Sequence, residues 1–429
     1  MSLKPVPSKI GWLSAAALVV ANMIGTGVFT SLGFQVVDIK HTWSLLLLWG
    51  IGGLVALTGA FSYAELGALY KRSGGEYDFL TRLYHPLAGY LSGWISLTVG
   101  FAAPVGLAAM AMGTYLEPAT GLSGQWVAIG AVVATALMHS WDLRQSSRFQ
   151  DILTLLKALL ILGIIVLGLA LPPAGEYLDF SEGWGIELAM PAYAVALIFV
   201  TYSYTGWNAA AYIVEEIRQP AINLPKALVR GTLAVTVLYV LLQLVFLRHT
   251  PLHLLEGQVD VGHIYAVQLL GEGGGRAVSL LIAFFLLSSI SAMAWVGPRV
   301  SLSMARDYPF WHFLRQQNRQ GIPVRAVWFQ AGISLVLILT GTFEQVLVYC
   351  GFILQLSSAL TVLGSFRIRQ RQQELPYRSP FHPLFPLLFT AISLWILAYA
   401  LVNNPQESLL GLGNLLLGYL TWHWGRRLR

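Results

Sequence analysis

The sequence predicts an all-α integral membrane protein of twelve transmembrane helices, built as a five-plus-five inverted repeat with discontinuous helices 1 and 6. Three observations carry this. Of the 429 residues, 56 % are hydrophobic and 11 % charged, with a mean hydropathy of +0.65, whereas soluble domains hold about 25 % charged residues. The apolar residues gather in runs close to the roughly 20 residues that carry a helix across a bilayer. Two runs are broken at mid-depth by glycine and hydroxyl residues, at matching places in two successive sets of five.

The runs 11–34, 43–67, 86–115, 124–140 and 149–171 form the first half (11–171), and 189–214, 228–247, 275–304, 325–342 and 344–366 form the second (189–366). Two peripheral helices, 382–402 and 405–424, follow the basic segment Arg367–Arg378. Lys4 and Lys9 ahead of the first run imitate a signal peptide. The stretch Gly25–Gly33 beyond it offers no small-residue cleavage site, so the run is kept as helix 1.

Cytoplasmic segments collect Lys and Arg. With the N-terminus inside, 22 of the 26 basic residues fall on the inner side, among them Lys71, Arg72, Arg82, Arg218, Lys226, Arg306 and Arg369. Lys40, Arg248 and Arg276 lie outside, and Lys157 lies within a helix. An even helix count puts both termini in the cytoplasm, so count and charge agree. Five helices per half is an odd number, so the halves run in opposite directions, the plan of many secondary transporters. The net charge of +6 reflects this topology and not the clustered basic face that nucleic acid requires. Residues 1–429 read as a single transmembrane domain in the plasma membrane.

The first break is Ile24-Gly25-Thr26-Gly27-Val28 and the second Ser203-Tyr204-Thr205-Gly206-Trp207. Within lipid, unpaired backbone groups survive only where protein or a water-filled cavity supplies partners. A break frees N–H donors at the start of its second piece and C=O acceptors at the end of its first. The former end attracts a carboxylate and the latter an ammonium; a zwitterionic amino acid carries both. The expected substrate-binding residues are therefore Met23, Ile24, Gly25, Thr26, Gly27 and Val28, with Ser203, Tyr204, Thr205 and Gly206. The carboxylate would meet the amides of Gly25–Val28, and the ammonium the carbonyls near Met23, Ile24, Tyr202 and Ser203. Small residues also serve plain helix packing, but breaks at equivalent places in inverted halves favour a site.

Lys157 is the one charge deep in an apolar run, roughly 12 Å from the cytoplasmic end. It reads as an internal cation replacing a bound metal ion, or as a proton carrier; snorkelling to the surface is the bland alternative. Ser288, Ser289 and Ser291 offer hydroxyls to Lys157 or to Na⁺. A fixed ammonium competes with sodium for those oxygens, which points to sodium independence. Tyr202, flanked by Phe199 and Trp207, is the expected gate.

The remaining candidates are bland. Glu176, Asp179, Glu182 and Glu187 between helices 5 and 6 read as a solvated acidic face, and 259–271 as an amphipathic lid helix. His249 and His253 in an outer loop lack a third ligand, so no metal is expected. Glu65, Glu215 and Glu216 sit where pairing with Lys or Arg would steady the closed inner side. Cys350 is the lone cysteine, so no intrachain disulfide forms. No nucleophile elbow, Walker loop, His-Glu-x-x-His or paired midplane carboxylates occur, which argues against a pump or hydrolase and for a non-enzyme without cofactor. The missing counter-charge argues against cationic substrates.

Asn22-Met-Ile-Gly-Thr-Gly-Val-Phe29, Ser62-Tyr-Ala-Glu-Leu-Gly67 and Ser73-Gly-Gly-Glu-Tyr77 resemble signatures of the amino acid-polyamine-organocation (APC) superfamily. Phe149-Gln-Asp151 leading to Lys157, and Tyr202-Ser-Tyr-Thr-Gly-Trp-Asn208 followed by Val214-Glu-Glu216, are similar to helices 5 and 6 of its L-type amino acid transporter branch. Gly297-Pro-Arg-Val and Met304-Ala-Arg-Asp307 resemble the superfamily's helix 8 end. The resemblance covers helices 1–8. It implies a sodium-independent carrier of amino acids working by alternating access; with no midplane carboxylate the substrates are read as neutral, and the carrier as an exchanger, with proton-coupled symport through Lys157 as the alternative. It also implies that Gly25, Thr26 and Gly27 meet the carboxylate, Ser203 the amine, that Tyr202 gates, and that Lys157 occupies the place of sodium. Two departures matter. Thr205 stands where the branch has a glycine, which narrows the side-chain pocket, and Glu117–Gly124 holds no cysteine, so no disulfide-linked ancillary subunit is expected and a stand-alone bacterial permease is the better fit.

Overall fold

The computed structural model describes residues 9–141, 147–319, 321–371 and 374–427. Helix covers every expected run, and no strand occurs among the described residues. The main helices are α1 (Trp12–Met23, resumed as Gly27–Thr30 and Leu32–Gln35), α2 (Thr42–Tyr70), α3 (Pro86–Ile95, then a π-turn at Ser96–Gly100, then Ala102–Thr120), α4 (Gly124–Trp141), α5 (Ser147–Ala170) and α6 (Pro191–Ser203). They continue as α7 (Pro220–His249), α8 (Val261–Asp307), α9 (Val324–Thr340), α10 (Phe343–Arg371), α11 (Leu384–Asn403) and α12 (Pro405–Arg427). By length and composition, eight described helical spans can cross a membrane: Trp12–Thr30, Thr42–Tyr70, Pro86–Thr120, Ile152–Ala170, Pro220–His249, Val261–Asp307, Phe343–Arg371 and Leu384–Asn403. Pro191–Ser203 and Val324–Thr340 are apolar but shorter.

The helix ends follow local chemistry. Proline in the first turn opens α3, α6 and α7, because its missing N–H is one the helix start leaves unpaired anyway. The expected lid helix and helix 8 form one run, bent at Gly271, whose φ of 73° suits glycine. The second run departs more from expectation. Regular α-helix stops at Ser203, and after Asn208 the chain resumes as a 3₁₀ stretch, Ala209–Glu216.

The helices pack in two groups. α7 lies on α1 and α2, and α6 on α2; α3 lies on α8, α4 and α9, and α4 on α9. α5 touches α7 and α8, while α10 contacts α6, α11 and α12. The first group is tight because glycines face it: a Cβ on Gly53 would fall 2.3 Å from Thr236 Cγ2.

Between α5 and α6 the acidic face is not uniformly solvated. Glu187 is buried and accepts from the Lys40 amide (2.9 Å), and His41 Nδ1 lies 2.9 Å from its Oε1. The hydrogen-bonding Glu187 carboxylate, helped by the charges of Glu187 and Asp179, holds His41 above the ordinary imidazole pKa against a smaller effect of burial. A raised pKa means the tie is complete below the ordinary value of about 6.5 and is lost as the pH rises through the raised one. Hydrogen exchange of the 180–190 amides, corrected for intrinsic rates, should speed up as the pH rises above the ordinary imidazole value of about 6.5 in the native protein but not in His41→Gln. The same profile in both proteins would contradict this tie.

Candidate functional site

The first break is real backbone interruption. α1 ends at Met23, Ile24 turns away (φ −71°, ψ 89°) and helix restarts at Gly27. The Gly25 and Thr26 amides donate no hydrogen bond among the described residues, and the first N–H groups of the outer piece have no acceptor within it. The carbonyls are better served. Met23 O accepts from Tyr239 OH (2.6 Å), Val28 O from Gln243 Nε2 (3.2 Å) and Phe29 O from Tyr115 OH (2.9 Å). Side chains of α7 and α3 thus supply the pairing that a buried broken helix requires.

The second break spans Tyr204–Asn208, with Gly206 at φ 101°. Here the carbonyls expected to meet the ammonium differ in how far they are already engaged. Tyr202 O already accepts from the Thr205 amide (2.9 Å) and the Thr205 hydroxyl (2.7 Å), as Met23 O does from Tyr239. Ile24 and Ser203 carbonyls accept nothing among the described residues.

The two breaks meet. A Cβ on Gly27 would lie 2.3 Å from Ser203 Oγ, and one on Gly206 would lie 2.7 Å from the Asn22 carbonyl. Ser31 Oγ and Ser203 Oγ share a hydrogen bond of 2.9 Å. Free amides of one break therefore sit against the frayed helix end of the other. Such a juxtaposition offers positive and negative partial charge to one small dipolar molecule.

Lys157 reaches this region. Its side chain is buried, Nζ donates to Ser289 Oγ (2.7 Å), and it lines a hollow shared with Ile24, Gly25, Phe29, Ile282, Phe285 and Leu286. Ser288 does not join it: its hydroxyl is buried without a partner among the described residues, and consecutive residues on a helix point about 100° apart. Ser291 is likewise directed elsewhere, to His139 Nε2 at 3.0 Å. The hollow is small, about 10 Å³, room for about one water. This conformation is closed around the breaks.

The closure has identifiable parts on both sides. At the end away from the N-terminus, Phe34 stacks between Phe199 (5.4 Å) and Phe343 (5.9 Å), and Gly33 O accepts from the Gly257 amide (2.9 Å). At the N-terminal end, Ile10 bonds with Glu216 O and the Arg218 amide, and Arg369 makes a two-pronged pair with Glu65 (2.8 and 2.9 Å). Glu215 and Glu216 make no side-chain ion pair among the described residues, so that part of the inner-gate expectation fails: both are exposed at the end of the 3₁₀ stretch. Tyr202 is buried on α6 beside Gly351; the stacked rings that touch at the end away from the N-terminus belong to Phe34, Phe199 and Phe343.

Several residues with polar roles escaped sequence reasoning. Tyr239, Gln243 and Tyr115 support the first break. Glu76, fully buried, takes hydroxyls from Tyr63, Ser357 and Ser358 and the Asn208 amide, joining α2, α10 and the end of the second break. His249 is not a loop residue; it is buried in the last turn of α7, within 2.6 Å of Gly168 O. No trio of His, Cys, Asp or Glu able to hold a metal occurs among the described residues. Phe149, Gln150 and Asp151 lie on α5, and their side chains fall outside the described set.

Residues 10–412 match the family described as amino acid permease. The b(0,+)-type amino acid transporter 1 of Mus musculus is 26 % identical over 412 residues, covering 92 % of this chain and 83 % of the relative. The Homo sapiens protein of that name is 27 % identical over 410 residues, with the same coverage. The large neutral amino acids transporter small subunit 2 of Homo sapiens is 26 % identical over 432 residues, 97 % of this chain and 80 % of the relative.

Proposed function

The chain belongs to the amino acid permease family of the APC superfamily, a multi-pass membrane family, and from that premise we propose that it exchanges neutral amino acids across the plasma membrane without sodium, by alternating access. The observation that carries this is the contact of the two breaks, with unpaired Gly25 and Thr26 amides on one side and the Ile24 and Ser203 carbonyls beside them. The substrate's carboxylate binds the amides around Gly25–Val28, and its ammonium the two carbonyls. Lys157 supplies the positive charge that a sodium ion would otherwise bring between α1, α5 and α8. Thr205 adds side-chain volume beside the second break, which favours small substrates.

Twelve spans with inverted five-helix halves and both termini in the cytoplasm complete the reading. Packing supports the halves: α1 contacts α6 and its 3₁₀ extension, α2 packs on α7, α3 on α8 and α4 on α9, each helix on the one five places later. The bacterial inner membrane suits a stand-alone chain of this kind. Cys350 is buried, and the loop of Glu117–Gly124 has no thiol, so no disulfide-linked subunit is involved. Burial of Lys157 on a single hydroxyl favours one rival, proton-coupled symport.

Reconstituted liposomes separate the two. Uptake of a labelled neutral amino acid should depend on unlabelled amino acid inside, persist when choline replaces sodium, and ignore an imposed pH gradient. Uptake into empty liposomes driven by the pH gradient would replace exchange with symport, and no flux at all under either condition would remove the transport reading.

A further inference from the structure

A second cavity, of about 470 Å³, opens at the start of α3 and the ends of α8 and α12, with no residue of either break in its wall. Its volume lies in the range of small-ligand sites, roughly 300–1,000 Å³. His85, Tyr90, Asp307, Tyr308, Phe310 and Trp422 line it. The aromatic residues stand in right-angle pairs, Tyr90 against Tyr308 at 4.6 Å and His85 against Trp422 at 6.1 Å. Hydrogen bonds brace the walls: Tyr90 OH takes the Trp311 indole N–H (2.9 Å) and bonds Thr421 (2.8 Å), and Tyr77 OH donates to Asp307 Oδ2 (2.8 Å). The result is an aromatic box with one carboxylate in its wall.

That chemistry selects an organic ammonium. Aromatic rings attract cations through their quadrupole, and the Asp307 carboxylate places a negative charge in the same wall. The setting is interfacial: α12 exposes Tyr419 and Trp424 beside the cavity, and such side chains gather at the headgroup level of a bilayer. We propose that this cavity binds the headgroup of an aminophospholipid, its ammonium between Asp307 and the aromatic walls. A lipid there ties α12 to the group formed by α3 and α8. The proposal rests on the topology above only for the leaflet, which is the cytoplasmic one.

Native mass spectrometry of the full-length protein tests it, with phosphatidylethanolamine and phosphatidylglycerol supplied at equal concentration. The native protein should retain phosphatidylethanolamine about tenfold better, and Asp307→Asn should lose most of that preference, as expected for removing a hydrogen bond between charged groups. Trp422→Ala should lower it too, with melting temperatures showing that each variant folds. Equal retention of the two lipids by the native protein, or a preference that survives both substitutions, would overturn the proposal. Free phosphoethanolamine binding in the absence of any lipid preference would overturn the lipid as the source. The readout is bound lipid, so it stands or falls independently of amino acid flux.

Discussion

Lys157→Ala should abolish amino acid exchange, lowering the initial rate by at least about tenfold, while leaving a protein that purifies as a folded species. The ammonium lies between α5 and α8 through its 2.7 Å bond to Ser289 and faces the hollow beside Ile24 and Gly25. A hydrogen bond to a charged group contributes about 1.5–3 kcal/mol, and about 1.4 kcal/mol already corresponds to tenfold in rate. A buried cation is retained at such depth only where its surroundings use it. Lys157→Met, which keeps length and removes charge, should fail as completely as alanine. Exchange at more than half the native rate in either variant would show that the ammonium does not link α5, α8 and the first break.

Gly27→Ala should cost both stability and transport, and Gly27→Val more of each. The new Cβ would lie 2.3 Å from Ser203 Oγ, 2.7 Å from its Cα and 2.8 Å from its Cβ. Rotating Ser203 relieves only the first of these contacts, so the backbones of the two breaks must part. Forcing an extra methyl into a packed site of this kind costs about 1–3 kcal/mol. Gly25→Ala is the informative contrast, because the nearest atom to its Cβ is Met23 O at 3.9 Å. That variant should melt like the native protein yet bind its amino acid more weakly, since the methyl meets the ligand and not the fold. A Gly27→Ala protein with native melting temperature and native uptake would refute the close apposition of the breaks.

Much of this was legible in the chain. The Gly-Thr-Gly stretch and the Thr-Gly pair announce the breaks because few residues tolerate backbone turning within lipid, and Lys157 announces itself because a charge is rare there. What stayed hidden depended on which way helices face. Ser288, Ser289 and Ser291 are equal on paper; the bend at Gly271 and the packing of α8 on α3 decide that Ser289 meets Lys157 and Ser291 meets His139. Tyr239 and Gln243 look like ordinary members of an apolar run, and only the fold brings them to the Met23 and Val28 carbonyls. Phe34 and Phe343 are three hundred residues apart in sequence and form one stack with Phe199. Glu76 was visible as part of a motif, but its four donors come from three separate parts of the chain. The sequence marks the second break at Ser203–Trp207, one residue ahead of the observed Tyr204–Asn208, and does not reveal its continuation, because 3₁₀ and α-helix share their apolar pattern over a stretch as short as Ala209–Glu216.

Competition for uptake by truncated ligands probes the cradle between the breaks most directly. Once one transported amino acid is known, its decarboxylated amine and its deaminated acid are each offered against the labelled parent in liposomes. If amides of the first break hold the carboxylate and the Ile24 and Ser203 carbonyls the ammonium, the parent competes and both fragments fail, each by at least about a hundredfold in concentration. Either fragment competing as well as the intact zwitterion would contradict the account.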